Sequence, residues 1–342
     1  MRSPFGLRAR ALLFLLPIGI GCLASGPVRA SDNVALLLNA PPSGLHAGIV
    51  YAQRKGFYAQ AGLAVTIEAG KGSGQTVRTV VKQRRAFGLA ELAAVIESRA
   101  EDIDTVGLAL LMERFPGTAI TLKGSGIQKP AALEGRRLAA APSSFSRILF
   151  PSFAERAGIN LENVRWSDIG STASIRALLA GEADAVVTAE TVRWRFERAA
   201  ARGKKEIRSF PYTAQGVEVY SLCLLAPARL VQEEQALVRR MVEATVRGLA
   251  EAMTRPAEAL ELFRRSFPGH PAEAAAAEWK VFVGSWSPEG LKDPGLGFFQ
   301  ENRVGQLQAL LVRGRQLTRE FPPSTFFTNR FVPKVSVQPA PF

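Results

Sequence analysis

The residues with the clearest chemical use are small and polar, and they gather in two loops. Gly70-Lys-Gly-Ser-Gly74, running on through Gln75 and Thr76, follows one strand-like run and precedes a helical one; Ala141-Pro-Ser-Ser-Phe-Ser146 does the same later in the chain. A helix start leaves backbone N–H groups unpaired and carries partial positive charge, so it accepts anions or polar groups. Serine hydroxyls and a glycine backbone let a ligand approach closely. In an open α/β sheet a ligand belongs beyond the carboxyl ends of the strands. Two such loops facing each other would form a clamp, although Ser and Gly also cap helices that bind nothing. Ser73, Gly74 and Gln75 are the candidates from the first loop; Ser143, Ser144, Phe145 and Ser146 are those from the second. Pro151 complicates the second loop, because it falls inside any helix begun at Ser144 or Ser146. Either that helix starts late or it kinks.

Four further residues stand at comparable places. Asn39 follows the first apolar run. His46 opens the first helix, as a ligand reader or as a capping and packing group. Glu91 lies just past Phe87–Leu89, and Glu190 just past Ala183–Val187. Trp194, near Glu190, could stack on a ring or pack its own helix. Catalytic chemistry finds no such support. Gly-x-Ser-x-Gly, a Walker loop and His-Glu-x-x-His are all missing from the sequence. With 2 histidines and 2 cysteines, a metal cluster is not credible and no cofactor is implied.

These residues need a scaffold. Val34–Leu38, Leu63–Ala69, Phe87–Leu89, Asp104–Leu111, Thr118–Leu122, a run ending near Ala140, Val164–Ile169, Ala183–Val187 and Val217–Ala226 read as strands. Helical runs alternate with them: His46–Gln60 closed by Gly62, Gln75–Lys82, a helix ending at Ala157 before Gly158, and Ser171–Ala180 before Gly181. Alternation of this kind predicts an α/β fold on mainly parallel sheets. After Pro227 the chain turns helical: Val238, Met241, Val242, Thr245, Val246, Leu249 and Met253 share one face, Pro256 and Pro271 restart helices, and Leu296–Leu317 reads as a long helix. This organisation predicts two lobes. Residues 31–123 and 224–330 form lobe 1, residues 124–223 form lobe 2, and a hinge crosses near Leu122–Ser125 and Ser221–Ala226. The tail 331–342 is expected to fray.

Residues 1–30 carry Arg2, Arg8 and Arg10, then an uncharged stretch from Ala11 to Val28, then Val28-Arg29-Ala30. This is the pattern of a cleaved secretory signal. An uncleaved anchor and a lipid anchor on Cys22 rank behind it. Removing those residues takes four arginines and no acids from the formal +13, leaving +9. The basic residues are scattered and no nucleic-acid motif accompanies them, which argues against nucleic acid and leaves a field that attracts anions. The remaining Cys223 sits in an apolar run as a small hydrophobe.

Read together, His46-Ala-Gly-Ile-Val-Tyr-Ala-Gln-Arg-Lys-Gly-Phe-Tyr-Ala-Gln-Ala-Gly-Leu-Ala-Val, Gly72-Ser-Gly, Lys129-Pro-Ala-Ala-Leu-Glu-Gly-Arg-Arg-Leu, Ala177-Leu-Leu-Ala-Gly-Glu-Ala-Asp-Ala-Val-Val and Gly216-Val-Glu-Val-Tyr resemble the NMT1/THI5-like periplasmic binding proteins. The resemblance spans about Val34 to Pro256. It implies the two-lobed type 2 periplasmic binding protein fold with a hinge, a periplasmic monomer that closes on one small-molecule ligand, and partnership with an ABC transporter permease and ATPase. The ligand it implies is a thiamine-precursor pyrimidine or similar heterocycle, with organosulfonate, nitrate and aromatic carboxylate as alternatives. The pyrimidine binders' Asp-Trp-x-Pro-Asn opening is replaced here by Asn39-Ala-Pro-Pro-Ser43, which removes an acid and an aromatic platform. The pyrimidine synthase of the family's fungal branch is a rival from another class. It requires iron and a cysteine-rich motif that this sequence does not contain. A sensory rather than transport role stays open.

Overall fold

The computed structural model describes residues 31–314 and 316–341. The expected leader, with Cys22, lies outside the described residues. The first apolar run forms β1 (Asp32–Leu37). A short 3-10 turn at Gly44–His46 leads into α1 (Ala47–Arg54). The single helix expected to Gln60 is interrupted at Gly56, which takes a left-handed φ of 76° before α2 (Phe57–Gln60). Glycine adopts that conformation without a Cβ penalty, so the chain turns there. β2 (Leu63–Glu68), α3 (Ser73–Val80), β3 (Ala86–Glu91), α4 (Leu92–Arg99) and β4 (Thr105–Leu110) follow.

The second run is β5 (Gly117–Leu122), β6 (Arg137–Ala140), α5 (Phe145–Ala157), β7 (Arg165–Asp168), α6 (Ser171–Ala180), β8 (Ala185–Ala189), α7 (Arg193–Arg202) and β9 (Ile207–Pro211). The chain returns through β10 (Leu222–Pro227) into α8 (Ala228–Glu233), α9 (Gln235–Thr254), α10 (Pro256–Ser266), α11 (Ala272–Gly284) and α12 (Glu301–Arg313). The apolar face expected on α9 is buried throughout, against α1 and α2.

Two five-stranded sheets result, in the orders β2-β1-β3-β10-β4 and β7-β6-β8-β5-β9. β1 runs parallel to β2 and β3, and β6 runs parallel to β7 and β8. β10 is antiparallel to both its neighbours, and so is β5. The sheets are therefore mixed rather than mainly parallel, and the reason is topological. Each reversed strand is the one delivered by a chain that has just crossed from the other sheet. This is the α/β architecture of a two-lobed type 2 periplasmic binding protein.

Strand pairing moves the expected crossings. β5 was assigned from sequence to lobe 1, yet it pairs with β8 and β9 of the second sheet. The first crossing is therefore 111–116, ahead of β5, and the second is 212–221, ahead of β10. The two lie side by side: Phe115 N–H donates to Val219 O at 2.8 Å, and Leu111 N–H to Leu222 O at 2.8 Å. Sequence reading also placed one long strand at Val217–Ala226, whose first half is this crossing, and it missed β9.

The C-terminal helices brace the crossings. The Arg114 guanidinium donates to the carbonyls of Gly284, Ser285 and Trp286 at the end of α11. The last helix starts at Glu301, later than expected, because residues 296–300 are turn and irregular chain. The tail is docked rather than frayed. Phe331, Val332 and Val337 are buried, and Val337 N–H and Ala340 N–H donate to Leu291 O and Met253 O.

Candidate functional site

The carboxyl ends of the parallel strands carry the expected polar residues, at β1, β2 and β3 of the first sheet and at β6 and β8 of the second. In the first sheet they form one connected patch. Gly70 makes it possible: a Cβ there would lie 1.8 Å from Leu38 O, so only glycine lets the β2–α3 loop rest on the end of β1. Gly70 N–H donates to Ala40 O, and the Thr76 hydroxyl donates to Leu38 O at 2.8 Å. Ser73 Oγ accepts the Glu91 N–H at 3.0 Å, tying the start of α3 to the start of α4. Ser221, on the second crossing, donates its hydroxyl to Glu91 Oε2 at 2.8 Å. Burial pushes the Glu91 carboxyl up to about 7, against the pull of that hydrogen bond. Gln75 is exposed at the edge of this patch.

His46 serves a different purpose from ligand reading. It has no exposed surface. Its Nδ1 accepts the Ser43 N–H at 3.1 Å, so Nε2 carries the proton and donates to Asn39 Oδ1 at 2.9 Å. Both ring nitrogens are thus occupied within the protein. Burial, more than any other cause, lowers the His46 pKa to about 4, which keeps the ring neutral. The residue fixes the orientation of Asn39, whose amide remains half-buried at the end of β1.

In the second sheet, α5 starts at Phe145 and carries Pro151 inside it. The early start settles the doubt raised by that proline. Ser144 caps the helix, its Oγ accepting the Arg147 N–H at 3.4 Å, which leaves the Phe145 and Ser146 N–H groups at the free end. Ser143 is exposed, whereas Ser146 is buried, with its carbonyl accepting the Tyr212 hydroxyl at 2.9 Å. The Phe145 ring meets Phe115 of the first crossing edge-on at 4.7 Å, so this helix start is seated on the crossing itself. Arg147, which sequence reading passed over, pairs with Asp168 at the end of β7 and lies 4.3 Å over the Trp166 ring.

Glu190 sits apart from these loops. Its N–H donates to Pro116 O at 2.8 Å, Oε2 lies 3.5 Å from the Arg193 guanidinium, and Oε1 is buried with no hydrogen-bond partner. It lines a cavity of about 220 Å³ with Arg114, Pro211, Thr213 and Ser285. Trp194 is half-buried, with the Arg195 guanidinium 5.4 Å over its ring. Its indole N–H donates to Glu278 Oε1 at 3.1 Å. Glu278, only 4% exposed on α11, also accepts Gly44 N–H at 2.7 Å and faces His270 Nε2 at 2.9 Å. One carboxylate therefore joins the first helix turn, the C-terminal helices and the second sheet's α7. Arg198 and Glu273 add an ion pair at 3.4 Å beside it. No sequence signal points to Glu278, because two of its three partners, Gly44 and Trp194, lie far away in the chain. Among the described residues, no group of three or more His, Cys, Asp or Glu side chains could hold a metal ion.

This geometry, strand ends from two sheets joined by two crossings, has known counterparts. A family model described as NMT1/THI5 like matches residues 44–259. The chain belongs to this family. As such it is a solute-binding protein rather than an enzyme. It is similar to the formylaminopyrimidine-binding protein of Halalkalibacterium halodurans, 23% identical over 235 residues, covering 68% of this chain and 70% of that one. It is also similar to the riboflavin-binding protein RibY of Chloroflexus aurantiacus, 22% identical over 311 residues and covering 88% and 86% of the two chains. Among solved structures, the periplasmic aliphatic sulphonate binding protein SsuA of Escherichia coli superposes with a TM-score of 0.67. That match is 13% identical and covers 91% of this chain and 95% of that one.

Proposed function

We propose that this NMT1/THI5-like protein is the exported receptor of an ABC importer, and that its ligand is a small molecule bearing an oxyanion, of the organosulfonate or carboxylate class. The lobes would close on it, Ser73, Gly74, Asn39 and Glu91 contributing from one side and Ser144, Phe145 and Ser146 from the other. The observation that carries this reading is Glu91. A charged carboxylate among the strand ends would repel an anion. Burial raises its pKa to about 7, so a protonated Glu91 is accessible at neutral pH and can donate to an oxyanion. The helix starts add positive potential. The absence of an aromatic at position 40 takes away a stacking surface a heterocycle would use. Export rests on the leader-like residues 1–30, and partnership with a permease on membership of the NMT1/THI5-like family.

A pyrimidine is the second reading. The unpartnered Glu190 Oε1 favours it, since that atom could accept an amino group, and a formylaminopyrimidine-binding relative points the same way. Thermal-shift titration of residues 31–342 separates the two. An alkanesulfonate or carboxylate at 100 times its Kd should stabilise the protein by about 2.7 kcal/mol. Stabilisation by a formylaminopyrimidine, with none by any sulfonate or carboxylate in the panel, would overturn the oxyanion reading.

A further inference from the structure

A second cavity, of about 630 Å³, opens on the flank of the crossings and away from the strand-end residues. Its walls come from both bodies: Ser152, Glu155 and Arg156 of α5, and Arg303, Gln306 and Arg313 of α12, with 216–219 of the second crossing between them. Arg303 is held rigidly. Its Nη1 pairs with the buried Glu113 of the first crossing, and its guanidinium lies 4.3 Å over the Tyr220 ring. These contacts leave Nη2 buried without a hydrogen-bond partner. An unmade bond on a buried charged donor is costly, and such groups are rare in native proteins.

The other two arginines carry unspent charge. Among the described residues, neither Arg156 nor Arg313 has an acidic partner, and the Arg156 guanidinium rests against the Gly216 backbone. Arginine in the last turn of a helix complements the helix dipole, and this accounts for the residue type at 156 and 313. It does not account for three guanidiniums lining one cavity, or for the unsatisfied Nη2 of Arg303. Of the two wall carboxylates, Glu218 is paired with Arg114.

We propose that this cavity is a second binding site, for a small polyanion carrying phosphate or several carboxylates, bridging α5 and α12. Planar guanidiniums bind such oxygens in pairs, and the ligand would supply the acceptor that Arg303 Nη2 lacks.

Inorganic pyrophosphate is the probe, titrated calorimetrically into residues 31–342 at pH 7.5 and constant ionic strength. Saturable one-to-one binding is expected, weakened at least tenfold in the double variant Arg156→Ala/Arg313→Ala. Both of those side chains are exposed, so folding should be intact. Arg303→Lys keeps the charge beside Glu113 but loses Nη2, and it should also weaken binding. Absence of saturable binding, or unchanged affinity in the double variant, overturns the proposal. So does loss of pyrophosphate binding in a folded Ser73→Asp variant with the three arginines intact, which would place the anion at the strand ends.

Discussion

Replacing Trp194 by Phe removes one hydrogen bond between α7 and α11 and keeps most of the ring. The indole N–H is the partner of Glu278 Oε1, and Glu278 is almost wholly buried. A hydrogen bond to a charged group contributes roughly 1.5–3 kcal/mol, and stranding a buried carboxylate oxygen costs a similar amount. Trp194 itself is only half-buried, so water can partly replace the lost donor, which places the expected loss at about 2 kcal/mol. For a chain of this size that is a fall of roughly 3 °C in Tm. The bond also ties the second sheet's body to the C-terminal helices, so its removal should let the lobes separate. Urea denaturation measures the first effect. Small-angle scattering of the ligand-free protein measures the second, as a larger radius of gyration. A double-mutant cycle with Glu278→Gln should return a coupling of at least about 1 kcal/mol. Stability within about 0.5 kcal/mol of wild type, with unchanged scattering, would refute the claim that this contact joins the lobes.

Glu91 gives a pH signature. Its folded pKa lies above the usual 4.5, so the native state holds an extra proton between about pH 4.5 and 7 and loses stability as pH rises through that window. Glu91→Gln should abolish this slope and stabilise the protein at pH 8, by up to roughly 3 kcal/mol; pH-resolved denaturation checks it, and an unaltered slope would contradict the assignment. His46 works in the opposite sense. Its folded pKa of about 4 lies below the usual 6.5, so its contribution is complete above pH 6.5 and is lost as pH falls toward 4. His46→Gln should flatten that acid limb, and because the ring orients Asn39 it should also weaken ligand binding. Gly70→Ala puts a methyl group onto Leu38 O. A loss of about 3 kcal/mol or more is expected, and a Tm equal to wild type would show that the loop can move aside.

Much of the scaffold could be read without coordinates, for local reasons. Gly158 and Gly181 end α5 and α6 where a left-handed residue was expected, and Pro256 opens α10. Continuous apolar runs became strands covered on both faces. The misreadings share one cause. An apolar run does not state its partner or its direction, so β5 was put in the wrong sheet and half of a crossing was taken for strand. The tail looked frayed because its scattered valines and prolines show no period, yet Phe331 and Val337 find apolar grooves that other segments build.

The sequence alone determined the fold class, the family and the polar character of the helix starts, because periodicity, capping residues and short motifs are local and survive linear reading. Only the tertiary structure decided what each polar group does. It turned His46 from a reader into a support, raised Glu91 toward neutrality by burial, and joined Trp194 to Glu278 across 84 residues of chain. Those outcomes depend on which atoms exclude water and which donor meets which acceptor, and neither is fixed until distant segments pack.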